Sequence, residues 1–276
     1  MRGSTARLAW GGVAAVALLV LLLLAMTATT GLPDLDPSRR MLGPAEAPPF
    51  GTDRDGRPLL VYAQQGAAIV FWPSLASGVL VGILAAIAGL TRCAGIAWLD
   101  GALQVFQELV GALPRLIVVL VVAMLLPAEW RSLWPVGLTW AVLAAPAAMD
   151  EAAATAGRLG GARFVEALRA HGFSATRIFL YHITFLNLRP VIVRQAAEVT
   201  MQVVFLEIAL SYLAVADLEP SFTHGVGTKS WAALLYEGYT WLVAALPMEH
   251  AMAVGVGLVA CTVLATQALR LAARAR

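Results

Sequence analysis

The chain has 276 residues, 60% of them hydrophobic and 13% charged, with a mean hydropathy of +0.78 and a formal net charge of +2. Soluble domains carry about a quarter charged residues, so this composition excludes an ordinary soluble domain and describes an integral membrane protein. The near-neutral balance gives no electrostatic ground for a nucleic-acid partner, and two cysteines without metal-ligand spacing, Cys93 and Cys261, read as small hydrophobes rather than a disulfide framework.

Residues 8–26 form the first apolar run, preceded by Arg2 and Arg7. The run is longer and richer in leucine than the roughly 7–15-residue apolar region of a signal peptide, so a retained span is expected, with a cleaved signal as the alternative. Residues 31–65 change character. Pro33, Pro37, Pro44, Pro48, Pro49 and Pro58 stand among Asp34, Asp36, Arg39, Arg40, Glu46, Asp53 and Asp55. Proline at that density prevents a continuous helix, and mixed charge favours water. An extramembrane loop is predicted there, with residues 51–57, GTDRDGR, supplying turn chemistry.

Further apolar runs lie at 66–90, 101–126, 133–149, 190–216 and 246–269. Each is long enough, or nearly so, to cross about 30 Å of hydrocarbon as a helix. The expected fold is therefore all-α, a polytopic membrane protein of about six transmembrane helices. It divides into an N-terminal helix and extracytoplasmic loop at 1–65 and a transmembrane domain at 66–276. Several of these runs contain Gly or Pro (Pro73, Gly78, Gly82, Gly89, Pro114, Pro146), which lets helices pack closely or kink. In the last long connection, from Asp217 to Pro247, Trp231, Tyr236, Tyr239 and Trp241 suit a water–lipid boundary, as interfacial anchors or as a short surface helix.

Between two of the apolar runs lies FVEALRAHGFSATRIFLYHITFLNLRP, from Phe164 to Pro190. Arg163, Glu166, Arg169, His171, Arg177, His182 and Arg189 give it more ionisable groups than hydrocarbon tolerates, so it belongs outside the bilayer. Phe164, Val165 and Leu168 recur at helical spacing, Gly172 offers a left-handed stop, and Ser174 can cap the next helix. A short amphipathic helix, a glycine elbow and a second helix entering the membrane after Pro190 are predicted. With both termini in the cytoplasm, 11 basic residues fall inside (Arg2, Arg7, Arg92, Arg158, Arg163, Arg169, Arg177, Arg189, Arg270, Arg274, Arg276). Only 6 fall outside (Arg39, Arg40, Arg54, Arg57, Arg131, Lys229). That bias satisfies the positive-inside rule and puts the elbow in the cytoplasm.

Glu166, Ala167 and Gly172, followed by Arg177, Ile178, His182, Ile183 and Pro190, resemble the EAA cytoplasmic loop of ABC importer permeases. The flanking residues are most similar to the C-type permease subunit of the dipeptide/oligopeptide/nickel family. Residues 51–57 resemble the GTD-x-x-GR motif after that subunit's first span, and Glu207, Leu210, Ser211, Tyr212 and Leu213 resemble its E-x-x-L-S-F-L segment. Lys229, Ser230 and Trp231 fall near its P-S-W. The likeness runs over about residues 51–270. Departures include Ala170-His171-Gly172 where the family has A-L-G, and Thr184-Phe185 where it has L-P.

The resemblance implies a type I ABC importer fold in a bacterial inner membrane, with a cytoplasmic coupling helix in the loop at 150–189. Phe164, Val165, Glu166, Ala167, Leu168, Arg169, His171, Gly172 and Arg177 would form the surface that engages an ATPase. The implied partners are a second, B-type permease, two ABC ATPase subunits and an extracytoplasmic substrate-binding protein, with peptide or nickel chelate as cargo classes. The chain has no G-x-x-x-x-G-K-[ST] phosphate loop, so ATP would be hydrolysed by a partner. No cofactor or metal is expected, because His171, His182, His224 and His250 do not share a ligand spacing.

Ionisable groups also fall in or near the spans: Glu108, Arg115, Arg194, Glu198, Glu207, Glu249 and His250. Exposing a charge to lipid costs roughly 2.5–3.5 kcal/mol, so such groups face a bundle interior or a wet path. Glu108 and Arg115 are seven apart and are expected to share a helix face, and Arg194 and Glu198 to form an i, i+4 pair. Glu108, Arg115, Arg194, Glu198 and Glu207 are candidates for a translocation path or, equally, for pairs that hold helices together. The alternative function is a self-sufficient secondary transporter with Glu108, Glu198 and Glu207 as a proton relay. An intramembrane hydrolase has less support, since Ser211 has no His or Asp in a recognisable motif and no H-E-x-x-H is present.

Overall fold

A computed structural model describes residues 2–31, 33–160, 163–216, 229–244 and 249–274. Among them the chain is all-helical, and its one β feature is an isolated bridge between Thr52 and Pro58. The helices are α1 (Arg2–Met26), α2 (Leu59–Ala94), α3 (Ala97–Gly111), α4 (Arg115–Leu125), α5 (Leu133–Gly160), α6 (Arg163–Ala170), α7 (Arg189–Ala216), α8 (Trp231–Val243) and α9 (Glu249–Arg274). A π-helical stretch, Arg177–Leu188, leads into α7.

Among the described residues three helices are long and apolar enough to cross a membrane: Leu8–Met26 of α1, α2, and His250–Ala273 of α9. A fourth arises if α3 and α4 act as one span, but their axes bend by 79° at the break. Pro114 opens α4 and has no N–H to give, which ends the continuous helix expected over 101–126. The 28-residue helices α5 and α7 are long enough to cross by length, but Asp150, Glu151 and Arg158 on α5 and Arg194, Glu198 and Glu207 on α7 dilute their apolar character.

The central element is α2. Its 36 residues rise about 54 Å at 1.5 Å each, and it packs against α1, α3, α5, α7 and α8. It starts at Leu59 rather than at 66, because Leu59, Tyr62 and Ala63 already lie on its buried stripe. Small residues set the spacing to α7: a Cβ on Gly78 would fall 2.6 Å from the Ala196 carbonyl oxygen, and one on Gly82 3.3 Å from Ile192. The Gly78/Gly82 pair thus gives the close backbone approach of a small-xxx-small contact. Beside it, α1 packs along α9 and α2, and α8 against α7 and α9.

The two ends of the bundle differ. At one, residues 33–58 fold over the start of α2, with Asp53 hydrogen-bonded to Tyr62 and Gly51 beside His250 of α9. At the other, α6 and the π-helical stretch pack beside Cys93 near the end of α2.

Candidate functional site

The elbow begins with α6, eight residues long. Val165 is buried and Leu168 half-buried, both in an apolar cluster with Ala156, Ile178, Ile183 and Leu188. Glu166, Ala167, Arg169 and His171 are exposed, so one face grips the bundle and the other faces outward. The side chain of Phe164 lies outside the described residues. His171 Nδ1 is 2.7 Å from the Ala167 carbonyl, a contact that requires the proton on Nδ1.

Gly172 ends the helix at φ +78°. Its N–H donates to Arg169 O (2.9 Å) and that of Phe173 to Leu168 O (3.2 Å), a Schellman stop. A Cβ at Gly172 would meet nothing within 4 Å, so only backbone strain opposes a side chain there. Ser174 Oγ then accepts from Arg177 N at 3.4 Å, and the Arg177 guanidinium stacks 4.8 Å from the Phe173 ring centre. Beyond it the helix is wound wide, with Thr184 Oγ1 and Asn187 Nδ2 donating to the carbonyls five residues back, Phe179 (3.0 Å) and His182 (2.6 Å). Tighter winding resumes at Arg189, one residue before Pro190.

The charges in and near the apolar runs are arranged differently from the sequence expectation. Glu108 is exposed on α3, and Arg115 begins α4 beyond the 79° bend, so they do not share a helix face. Arg194 and Glu198 turn to different helices rather than to each other. Arg194 pairs with Glu151 of α5, whose carboxylate also accepts from Gln195 (2.6 Å). Glu198 faces Arg270 of α9 at 3.8 Å, and Gln202 links it to Trp140, whose indole N–H donates to Gln202 Oε1 at 3.0 Å. These contacts tie α7 to α5 and α9. Glu207 is fully buried and accepts from Ser211 Oγ at 2.7 Å.

At the opposite end lies a polar cluster that the sequence showed only as a turn. Asp53 has no exposed surface. Its Oδ1 accepts from the N–H groups of Asp55 and Arg57, both at 2.8 Å, and its Oδ2 from the Tyr62 hydroxyl. Gly56, at φ +83°, sits so close to Asp36 O that a Cβ would lie 1.9 Å from it, and this position requires glycine. Gln65 joins three segments, donating to Thr29 O and Gly31 O and accepting from the Lys229 N–H at 2.9 Å. Lys229 Nζ stands 5.4 Å from the Tyr62 ring centre.

Trp231, expected at an interface, is instead fully buried. Its Nε1 donates to Ala63 O at 3.1 Å, and its ring fills the space that a side chain at position 66 would occupy. Tyr239 is exposed, and the Trp241 side chain lies outside the described residues. Burial pushes the Glu237 carboxyl on α8 up to about 7; Lys229 and Arg54 pull it down, and Asp53 and Asp55 add to the rise. Sequence reasoning missed Asp53, Tyr62, Lys229 and Glu237 as a group. The signal available was the run of turn residues in GTDRDGR, which says that a turn forms and not what it grips.

Among the described residues no three His, Cys, Asp or Glu side chains converge as metal ligands, and His224 lies outside those residues. Compared with models of protein families the chain matches none, and compared with curated proteins it likewise matches none.

Proposed function

We propose that the chain is a non-catalytic permease subunit of an ATP-driven ABC importer, forming with a second permease the path for a small solute such as a di- or oligopeptide or a nickel chelate. The observation that carries this is the elbow: an eight-residue helix with an exposed polar face, joined through Gly172 to the helix that continues into α7. A helix held on one face and free on the other suits reversible contact with a moving partner. The EAA-like residues Glu166, Ala167 and Gly172 lie on it. On this account α5 and α7 cross the membrane with α1, α2, the bent α3–α4 pair and α9, giving six spans. Both termini and α6 are then cytoplasmic in a bacterial inner membrane, and α8 lies outside.

ATP hydrolysed by two partner subunits would move α6, and α7 would carry that motion past Arg194 and Glu198 to the buried Glu207. A relay confined to this one chain has a distance problem: Glu198 and Glu207 are about 13 Å apart along one helix, too far for a direct proton transfer. The test is site-directed cross-linking in native membranes. Arg169→Cys, on the exposed face of α6, is expected to cross-link to a subunit that carries a phosphate loop, whereas Arg54→Cys, at the opposite end, gives no such product. The same product from both positions, or from neither, contradicts the proposal.

A further inference from the structure

A groove of about 530 Å³ runs between α1, α2, α7 and α9. Its walls are apolar: Val79, Ile83 and Ala86 on α2, Ile192 and Val193 on α7, and Leu269 on α9. Three threonines also line it, but Thr184, Thr200 and Thr266 each return their hydroxyl to a carbonyl of their own helix, at 3.0, 2.9 and 3.0 Å. Those hydroxyls ask nothing of an occupant. The single charged residue in the lining is Arg189, exposed at one end of the groove, and it forms no ion pair with any described residue.

Length identifies the occupant. Along α2 the lining runs from Leu75 to Ala86 and along α7 from Arg189 to Thr200, each about 16 Å at 1.5 Å per residue. Half of a roughly 30 Å hydrocarbon core, one leaflet, is nearly the same. The helices are antiparallel here, since Gly78 meets Ala196 and Gly89 meets Leu188, so Ala86 and Arg189 mark the same end. An acyl chain is thin enough to lie along the whole slot, and the one cation at its end suits an anionic headgroup.

We propose that this groove binds one acyl chain of an anionic phospholipid, with the phosphate of its headgroup against the Arg189 guanidinium. Arginine matches a phosphate with two parallel N–H donors, and a basic side chain at the membrane surface favours anionic over zwitterionic lipid. The inference rests on the chain's spanning a membrane, and it stands whether or not the chain couples to an ATPase.

The test is photolabelling of the purified full-length chain with phosphatidylglycerol that carries a diazirine in its acyl chain, alongside the matching phosphatidylcholine. Phosphatidylglycerol is expected to label residues 79–86 and 192–196 above the exposed α1 positions Leu19 and Leu23. Arg189→Gln should lower that labelling about fivefold, to the level of phosphatidylcholine. Ile83→Trp, which fills the groove, should remove both signals; Val79→Trp is the second filling variant, and both native side chains are half-exposed, which favours folding. Labelling that ignores the headgroup or survives Arg189→Gln overturns the proposal. So does a co-purified protein chain that shields the groove, because a protein is then the occupant.

Discussion

At one end of the bundle Asp53, Tyr62 and Trp231 have no exposed surface, and hydrogen bonds tie the loop at 33–58 and the start of α8 to α2. At the other end α6 is held by Val165 and Leu168 and hinged at a glycine with open space around it. Free energy is concentrated where many buried groups satisfy one another and is thin where a few apolar contacts hold a short helix. The closed end is thus the more heavily bonded of the two, and the elbow is held by fewer contacts.

The largest effect is expected at the closed end. Trp231→Ala removes a buried indole and its hydrogen bond, a loss of about 3–5 kcal/mol. Thermal unfolding in detergent should show it as the most destabilising of these substitutions; if it unfolds no earlier than an elbow variant, the contrast between the ends fails. Asp53→Ala strips acceptors from two backbone N–H groups and the Tyr62 hydroxyl, about 3 kcal/mol, and Asp53→Asn should retain part of that.

Acidity sharpens the comparison. Glu237 has its folded pKa raised from 4.5 to about 7, so between those values the folded chain binds more protons than the unfolded one. The contribution of Glu237 to stability should therefore be greatest below about pH 4.5, fall as pH rises to about 7, and level off above it, a change on the order of 3 kcal/mol. Glu237→Gln should flatten this slope in melting curves taken across that range. The same pH dependence in wild type and Glu237→Gln contradicts the assignment. The smallest stability effect belongs to Gly172→Ala, which meets no atom and carries only the left-handed backbone strain of about 1–2 kcal/mol.

The sequence made the elbow legible because each part has a local signal: Val165 and Leu168 by spacing, Gly172 by its freedom at positive φ, Ser174 as a cap. The helical class and the apolar spans α1, α2 and α9 were legible for the same reason, since hydropathy is a property of the run itself. Long-range pairing was not. Arg194 and Glu198 are correctly spaced to meet on one helix, and they part only because Glu151 and Arg270 come up from α5 and α9. Nor does composition reveal that Trp231 is the residue that fills the space above Gly66; Pro114 marked where its run could kink, but not that the bend would reach 79°.

Coupling is measured most directly by ATP hydrolysis and solute uptake in the same proteoliposomes, with the complex containing wild-type chain, Glu166→Ala or Gly172→Ala. The account predicts that both variants assemble and melt within a few degrees of wild type while the ratio of uptake to ATP hydrolysed falls at least about tenfold, the loss of roughly 1.4 kcal/mol of coupling. An unchanged ratio in both variants, or uptake by the purified single chain in an ion gradient without ATP, would contradict it.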